Sequence, residues 1–355
     1  MKRLYGVVYI RTLIVLFWAL VLFLFLMLPA FSRFFYEKKS ISILIWPMIL
    51  DTTVLRQFEA ETGIKVYVNY YESNPELYSK LTSIKEHGYD LISPTDYMVE
   101  LLIQEKIVQK IDVSKLSFID DIRPEFRNLY FDPRNEYSIP YYVGVFGLGI
   151  NKQVINRDLE GLDWDFVFDT KQISYPICMP DDPRQVAMLA SKYIFGTIDA
   201  LRSPEAIQQV RDLLIEQKKF VQVYSEARAD ELLASGSCPV VVGISSDVWK
   251  VMREDENITF VVPKSGTFAS LELLTIPQST KKTDLVYQLL NFLYRAEVLK
   301  HNSIRYGFCP PLVTVPVESK NVLCITSEQM SSMSFFKNVL SNDEIQDLWI
   351  SVLSY

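Results

Sequence analysis

Histidine is almost missing from this 355-residue chain: there are two, His87 and His301, and neither belongs to an HExxH pattern. That excludes a helix-borne zinc hydrolase, whose chemistry needs two imidazoles one turn apart with a glutamate base between them. No GxSxG elbow and no Walker A loop occurs, so the usual settings for a serine nucleophile and for a nucleotide phosphate are absent as well. His87 stands beside Gly88 at the expected end of a helix, where a cation is simply favourable, and it reads as a capping charge rather than a base. Cysteine is also scarce. Cys178, Cys238, Cys309 and Cys324 are spaced by 60, 71 and 15 residues, which matches no zinc pattern. The sequence therefore calls for no enzyme, no metal and no cofactor.

A basic excess is lacking too. The formal net charge is −7, and no cluster of Lys and Arg interleaved with aromatics appears, which argues against a nucleic-acid partner. Hydrophobic residues at 49% against charged residues at 22% exclude a disordered chain, and the length suffices for two domains. There is no internal repeat or low-complexity tract. The glycines of YSIPYYVGVFGLGIN (Gly144, Gly147, Gly149) form no GxGxxG, and no helix pattern follows them directly. They read as a strand with close backbone packing.

What is present starts with the N-terminus. Lys2, Arg3 and Arg11 precede an uncharged apolar stretch from Thr12 to Leu28, and Ala30-Phe31-Ser32 fits a small-x-small cleavage pattern. The segment 1–32 serves either as a signal peptide removed after Ser32 or as a retained membrane anchor, and both place the body outside the cytoplasm. No cysteine follows the run closely enough to accept a lipid. In an exported chain the four cysteines permit zero, one or two disulfides. Cys309 and Cys324 are the nearest pair, and buried free thiols are the other reading.

From Ile41 to Tyr97 the pattern is strand, helix, strand, helix, strand. ISILIW is a short apolar run; Val54, Leu55 and Phe58 share one helical face; Gly63 stands where a helix stop needs positive φ; and IKVYVN alternates. Asn74-Pro75 reads as N-cap and first helical residue, with Tyr78, Leu81 and Ile84 as the apolar stripe. YDLISPTDY supplies a third strand ending at Tyr97. Alternating strands and helices imply a parallel α/β sheet, which binds ligands outside the carboxyl ends of its strands, where Trp46 and Tyr97 fall. Further along, YPICMP and PVVVGI read as strands, and helices follow Asp181-Asp182-Pro183 and run from Pro204 to Lys219. Phe268 to Pro277 is a strand, and Leu285 to Tyr294 and Glu344 to Leu353 are helices.

WPMILDTTVLRQFEAETGIKVYVNYYESNPELYSKL, YDLISPTDYMVELLIQEKIVQKID and FDPRNEYSIPYYVGVFGLGIN resemble successive blocks of the bacterial periplasmic spermidine/putrescine-binding proteins. VVPKSGTFASLELLTIP and LVYQLLNFLYRAEV extend the likeness from about residue 40 to at least residue 310. The resemblance implies a two-lobed type II periplasmic binding fold with hinge crossings near Tyr142 and Ser270. On that reading residues 40–142 plus 272–315 form one lobe, 143–271 the other, and 316–355 a helical segment packing across both. It implies a monomeric receptor of an ABC importer that meets permease subunits and a polyamine-like solute in the periplasm, attached to the membrane if the N-terminus is retained.

A polyamine site needs carboxylates for its ammonium groups and aromatic faces for its methylenes. The resemblance carries these roles to Trp46, Tyr97, Asp182 and Glu272, with Thr95 as a hydroxyl donor and Gln185 as a neutral ligand-binding residue at the position of a family acid. Each also has a purely structural role open to it: strand-end aromatic, core-edge tyrosine, helix N-cap and exposed strand residue, respectively. The chain departs from the family where Met48 and Gln185 replace acids and where Gly243 and Ser270 replace tryptophans. Trp249 and Phe268 lie near enough in sequence to refill the aromatic box. Fewer acids favour a diamine such as putrescine over spermidine, or a different small solute. A membrane-anchored sensor without a transport ligand is the remaining alternative.

Overall fold

The computed structural model describes residues 14, 16–27, 39–83, 88–226, 228–316, 322, 324 and 333–354. His87, Ile84, the Ala30-Phe31-Ser32 cleavage pattern and most of the stretch from Ser327 to Ser334 lie outside them. Residues 16–27 are helical with exposed apolar side chains. Among the described residues no helix is long and apolar enough to cross a membrane.

The body opens as its periodicity demands. Strand β1 (Ser40–Ile45) leads into helix α1 (Thr52–Thr62), whose buried face is Val54, Leu55 and Phe58. Asp51 caps it by accepting from Thr53 N at 2.8 Å, and Gly63 ends it at φ 69°. Strand β2 (Lys65–Tyr70) then pairs parallel with β1. Helix α2 (Asn74–Ser83) differs from expectation at its start. Ser73, not Asn74, supplies the cap, its Oγ accepting from Glu76 N at 3.3 Å, while Asn74 is buried and its Oδ1 accepts from Thr95 Oγ1 at 3.1 Å. Its buried stripe is Leu77 and Leu81, with Tyr78 only half-buried.

The third strand is much shorter than expected. β3 spans only Leu91–Ile92, and helix α3 (Asp96–Gln104) begins directly after Pro94 and Thr95. Tyr97 therefore sits in the first turn of a helix rather than at a strand end. Buried Tyr97, Met98, Val99 and Leu102 give this segment a 3.6-residue apolar stripe, which overrides the strand reading.

The long strand β4 (Ser138–Asn151) is buried throughout. Helix α4 (Asp165–Phe168), strand β5 (Ile177–Met179), helices α5 (Pro183–Phe195) and α6 (Pro204–Gln217), and strand β6 (Val221–Tyr224) follow. Helix α7 (Ala229–Ala234), strand β7 (Val240–Ile244), helix α8 (Ser245–Met252) and strand β8 (Ile258–Val261) lead to strand β9 (Phe268–Thr275). Helices α9 (Thr283–Leu293) and α10 (Ala296–Tyr306), the short strand β10 (Ser334–Phe335) and helix α11 (Asn342–Ser354) complete the elements.

The strands line up as β2-β1-β3-β9-β4-β7-β5-β6, with β10 beside β9 and β8 beside β4. β4 joins the two ends of this order. Its first half, Ser138 to Val145, pairs antiparallel with β9, and its second half, from Phe146 on, pairs with β7 and β8. Gly147 allows that close approach: a Cβ there would lie 2.5 Å from the Phe260 ring and 2.6 Å from the Val261 carbonyl oxygen. One apolar core gathers β1, α1, α9 and α10, and another gathers α5, α6, β7 and α11. The C-terminal segment is tied to α3 and α5: Asn338 Nδ2 donates to Tyr97 O at 2.9 Å, and Arg184 Nη1 donates to Leu340 O at 2.7 Å. A disulfide joins Cys309 to Cys324, and Cys178 and Cys238 are buried free thiols.

Candidate ligand-binding site

A cavity of about 250 Å³ opens where the strand ends converge on the β4–β9 crossing. Each wall follows from a local rule. Trp46 and Glu72 lie just beyond the carboxyl ends of β1 and β2, Glu226 just beyond β6, and Asp247 in the first turn of the helix after β7. Gln185 comes from the first turn of α5, and Asp230 and Lys250 come from α7 and α8. The floor is made by the crossing strands. Tyr142 and Glu272 are direct partners across the β4–β9 ladder, and Gly144 and Ser270 are the next pair on the same face. Phe146 extends that face, and Thr95 bridges to Glu272 from the start of α3.

Of the residues expected at the site, Trp46, Thr95, Gln185 and Glu272 line this cavity. Tyr97 and Asp182 do not. The Tyr97 hydroxyl donates to an Asp182 carboxylate oxygen, and both line a neighbouring cavity under α11. The other oxygen of Asp182 accepts from Arg184 N at 2.8 Å, so this carboxylate caps α5. Nor do Trp249 and Phe268 refill the aromatic box. Trp249 packs against Gly307, and buried Phe268 stacks on Phe336 with ring centroids 4.4 Å apart. Tyr142 and Phe146 take that part instead, while Gly243, Ser270 and Met48 line the cavity as small or neutral groups.

The charge missing at Met48 and Gln185 returns elsewhere. Among the described residues Glu72, Glu226, Asp230, Asp247 and Glu272 give the cavity five carboxylates against one ammonium, that of Lys250. Burial comes first in raising the Glu272 carboxyl well above its ordinary range, and the charges of Asp96, Glu226 and Asp247 raise it further. Glu226 is pushed well up by burial and then by Asp181, Asp182 and Asp247. Asp247 is raised by burial, although Lys250 beside it pulls the other way. Such a cluster is under electrostatic stress that a cation would relieve. Two buried polar atoms in the wall, Gln185 Oε1 and Glu226 Oε1, have no hydrogen-bond partner among the described residues. Unpaired buried polar atoms are costly, and these border one cavity. Among the described residues no group of histidine, cysteine and carboxylate side chains is arranged to hold a metal ion.

Glu226 carries no signal in the sequence because β6 carries none: VQVY is short and follows a helix without a turn signal, so nothing marks a strand end before it. Glu72 and Asp247 each follow a recognised strand, and the strand-end rule that selects Trp46 selects them as well.

Comparison with known proteins bears on the same elements. The family described as bacterial extracellular solute-binding protein matches residues 53–322. The spermidine/putrescine-binding periplasmic protein of Salmonella typhimurium is 29% identical over 266 residues, covering 75% of this chain and 76% of that protein. The putrescine-binding periplasmic protein PotF of Escherichia coli is 27% identical over 283 residues, with 75% and 76% covered. Among solved structures, a putative spermidine/putrescine ABC transporter from Listeria monocytogenes superposes with a TM-score of 0.79 at 23% identity, over 89% of this chain and 98% of that one. The fold is thus the two-lobed type II periplasmic binding fold.

Proposed function

From the premise that this chain belongs to the bacterial extracellular solute-binding protein family, we propose that it is an extracytoplasmic receptor delivering a small polyamine-like cation to an ABC importer. The observation that carries this reading is the cavity: five carboxylates beside Trp46, Tyr142 and Phe146, with unpaired buried polar atoms in its wall. Carboxylates hold ammonium groups by charge-assisted hydrogen bonds, and aromatic faces cover the methylenes, each cation–π contact adding about 0.5–2 kcal/mol. Glu272 and Glu226 are the anchors we assign to the ammonium ends, Trp46 and Tyr142 the faces for the stem, and Thr95 and Gln185 the neutral polar partners. Tyr97 and Asp182 hold the wall behind the cavity rather than the ligand.

In this reading the lobes are residues 40–142 plus 272–315 and residues 143–271, with the β4 and β9 crossings near Tyr142 and Ser270 as hinges. The receptor works as a monomer in the periplasm or on the outer face of the inner membrane and docks to permease subunits when closed. Isothermal calorimetry of the full-length chain with putrescine, spermidine, glutamate and a neutral sugar tests the assignment. Saturable binding of putrescine, with none of glutamate or sugar, is expected. Polyamines that give no binding while another solute does would overturn it.

A further inference from the structure

Among the described residues Lys250 is the one cation lining the cavity, and its placement is specific. It stands one turn after Asp247 on α8, and its Nζ lies 3.1 Å from Asp247 Oδ1 and 3.8 Å from Asp230 Oδ2 on α7. The side chain is only 21% exposed. From Cβ outward a lysine is a chain of methylenes ending in a primary ammonium, the same chemistry as one end of a polyamine. Its ammonium therefore satisfies two carboxylates in the manner a ligand would.

We propose that Lys250 is a resident counter-cation that occupies one ammonium position of the cavity and so limits the charge of the ligand that fits. This rests on the polyamine reading of the cavity. With Asp230 and Asp247 engaged by Lys250, the free carboxylates are Glu72, Glu226 and Glu272. Glu72 is exposed, so Glu226 and Glu272 remain as the sheltered pair, one for each end of a diamine. The third ammonium of spermidine would have to displace Lys250 from its partners, lie unpaired beside it, or settle for Glu72 at the solvent-screened edge, and the first two are costly while the third returns little. Lys250 is thus a specificity-determining residue: it sets the number of ammonium groups accepted without touching the anchors themselves.

The test compares putrescine and spermidine by calorimetry on the wild-type chain and on Lys250→Met, which keeps the unbranched stem and removes the charge. Lys250→Gln provides the same neutralisation with a polar end, and Lys250→Arg restores a cation. Loss of one like-charge contact at an effective dielectric of about 20 predicts that the spermidine-to-putrescine affinity ratio rises by about tenfold or more in both neutral variants. The arginine variant should keep a ratio close to that of the wild type. Lys110→Met, outside the cavity lining and paired with Glu136, controls for bulk charge and should leave the ratio within about twofold. Putrescine binding with an unchanged ratio in the neutral variants overturns the role of Lys250 and leaves the receptor reading standing. If neither putrescine nor spermidine binds any of these proteins, both the role of Lys250 and the polyamine reading are overturned.

Discussion

Replacing Glu272 by Gln should move stability and affinity in opposite directions. Glu272 is 6% exposed at the centre of β9, and among the described residues the side chain that donates to it is Ser93, whose Oγ lies at 3.4 Å. Burial and the charges of Asp96, Glu226 and Asp247 hold its carboxyl well above the ordinary range, so its ionised form strains the ligand-free fold. At an effective dielectric of about 20, two like charges ~7 Å apart repel by about 2 kcal/mol, and an isosteric amide removes that repulsion. The linkage sign agrees. A carboxyl whose folded pKa is raised stabilises the fold below its unfolded pKa, and that contribution is lost as pH rises through the folded value. The ligand-free wild type should therefore lose melting temperature from about pH 4.5 upward, and Glu272→Gln should recover part of the loss near about pH 7. For a chain of this size, about 1–2 kcal/mol corresponds to a rise of a few degrees. Putrescine, in contrast, loses an ionic partner in a buried site, and its affinity should fall by roughly 2–5 kcal/mol. Differential scanning calorimetry across pH and isothermal calorimetry read the two effects on one preparation. A variant that melts lower than wild type at neutral pH while binding putrescine within about threefold would refute both the electrostatic strain and the anchoring role.

Asp182→Asn should keep putrescine affinity within about threefold in calorimetry, because Asp182 lies outside the cavity and asparagine caps a helix as well as aspartate. Gly307→Ala should destabilise the fold by about 2–4 kcal/mol in thermal melts, since the site combines a left-handed backbone with a forced contact to Trp249. The structural basis is a φ of 74° and an added Cβ that would lie 2.3 Å from Trp249 Cδ1. Reducing the disulfide between Cys309 and Cys324, or replacing both by Ser, should cost about 3 kcal/mol from the chain entropy of a loop of that length. Melts with and without reductant read this directly, and unchanged melting would show that the loop is restrained by other contacts.

Local chemistry was enough to place much of this protein. The apolar face of α1, the Gly63 stop, the cap at Asp182 and the buried runs of β7 and β9 are short-range patterns, because helix and strand periodicities are properties of neighbouring residues. The ordered blocks from Trp46 to Val298 likewise pointed to the fold. Trp46, Thr95 and Glu272 reach one cavity because each stands near a strand end or on the crossing strand, and Gln185 because it opens the helix after β5, positions a sequence can mark. Only the tertiary structure decided the rest. It turned Tyr97 inward on a helix to meet Asp182, because the stripe of α3 packs better as a helix than as a strand. It brought Glu72, the Glu226 and Asp230 pair, and Asp247 together from three separate segments, restoring the charge that Met48 and Gln185 lack. It seated Lys250 among them. Charge in a cleft depends on distances between residues far apart in the chain, and those distances are set by how the β4–β9 crossing folds the two ends of the sheet over one another.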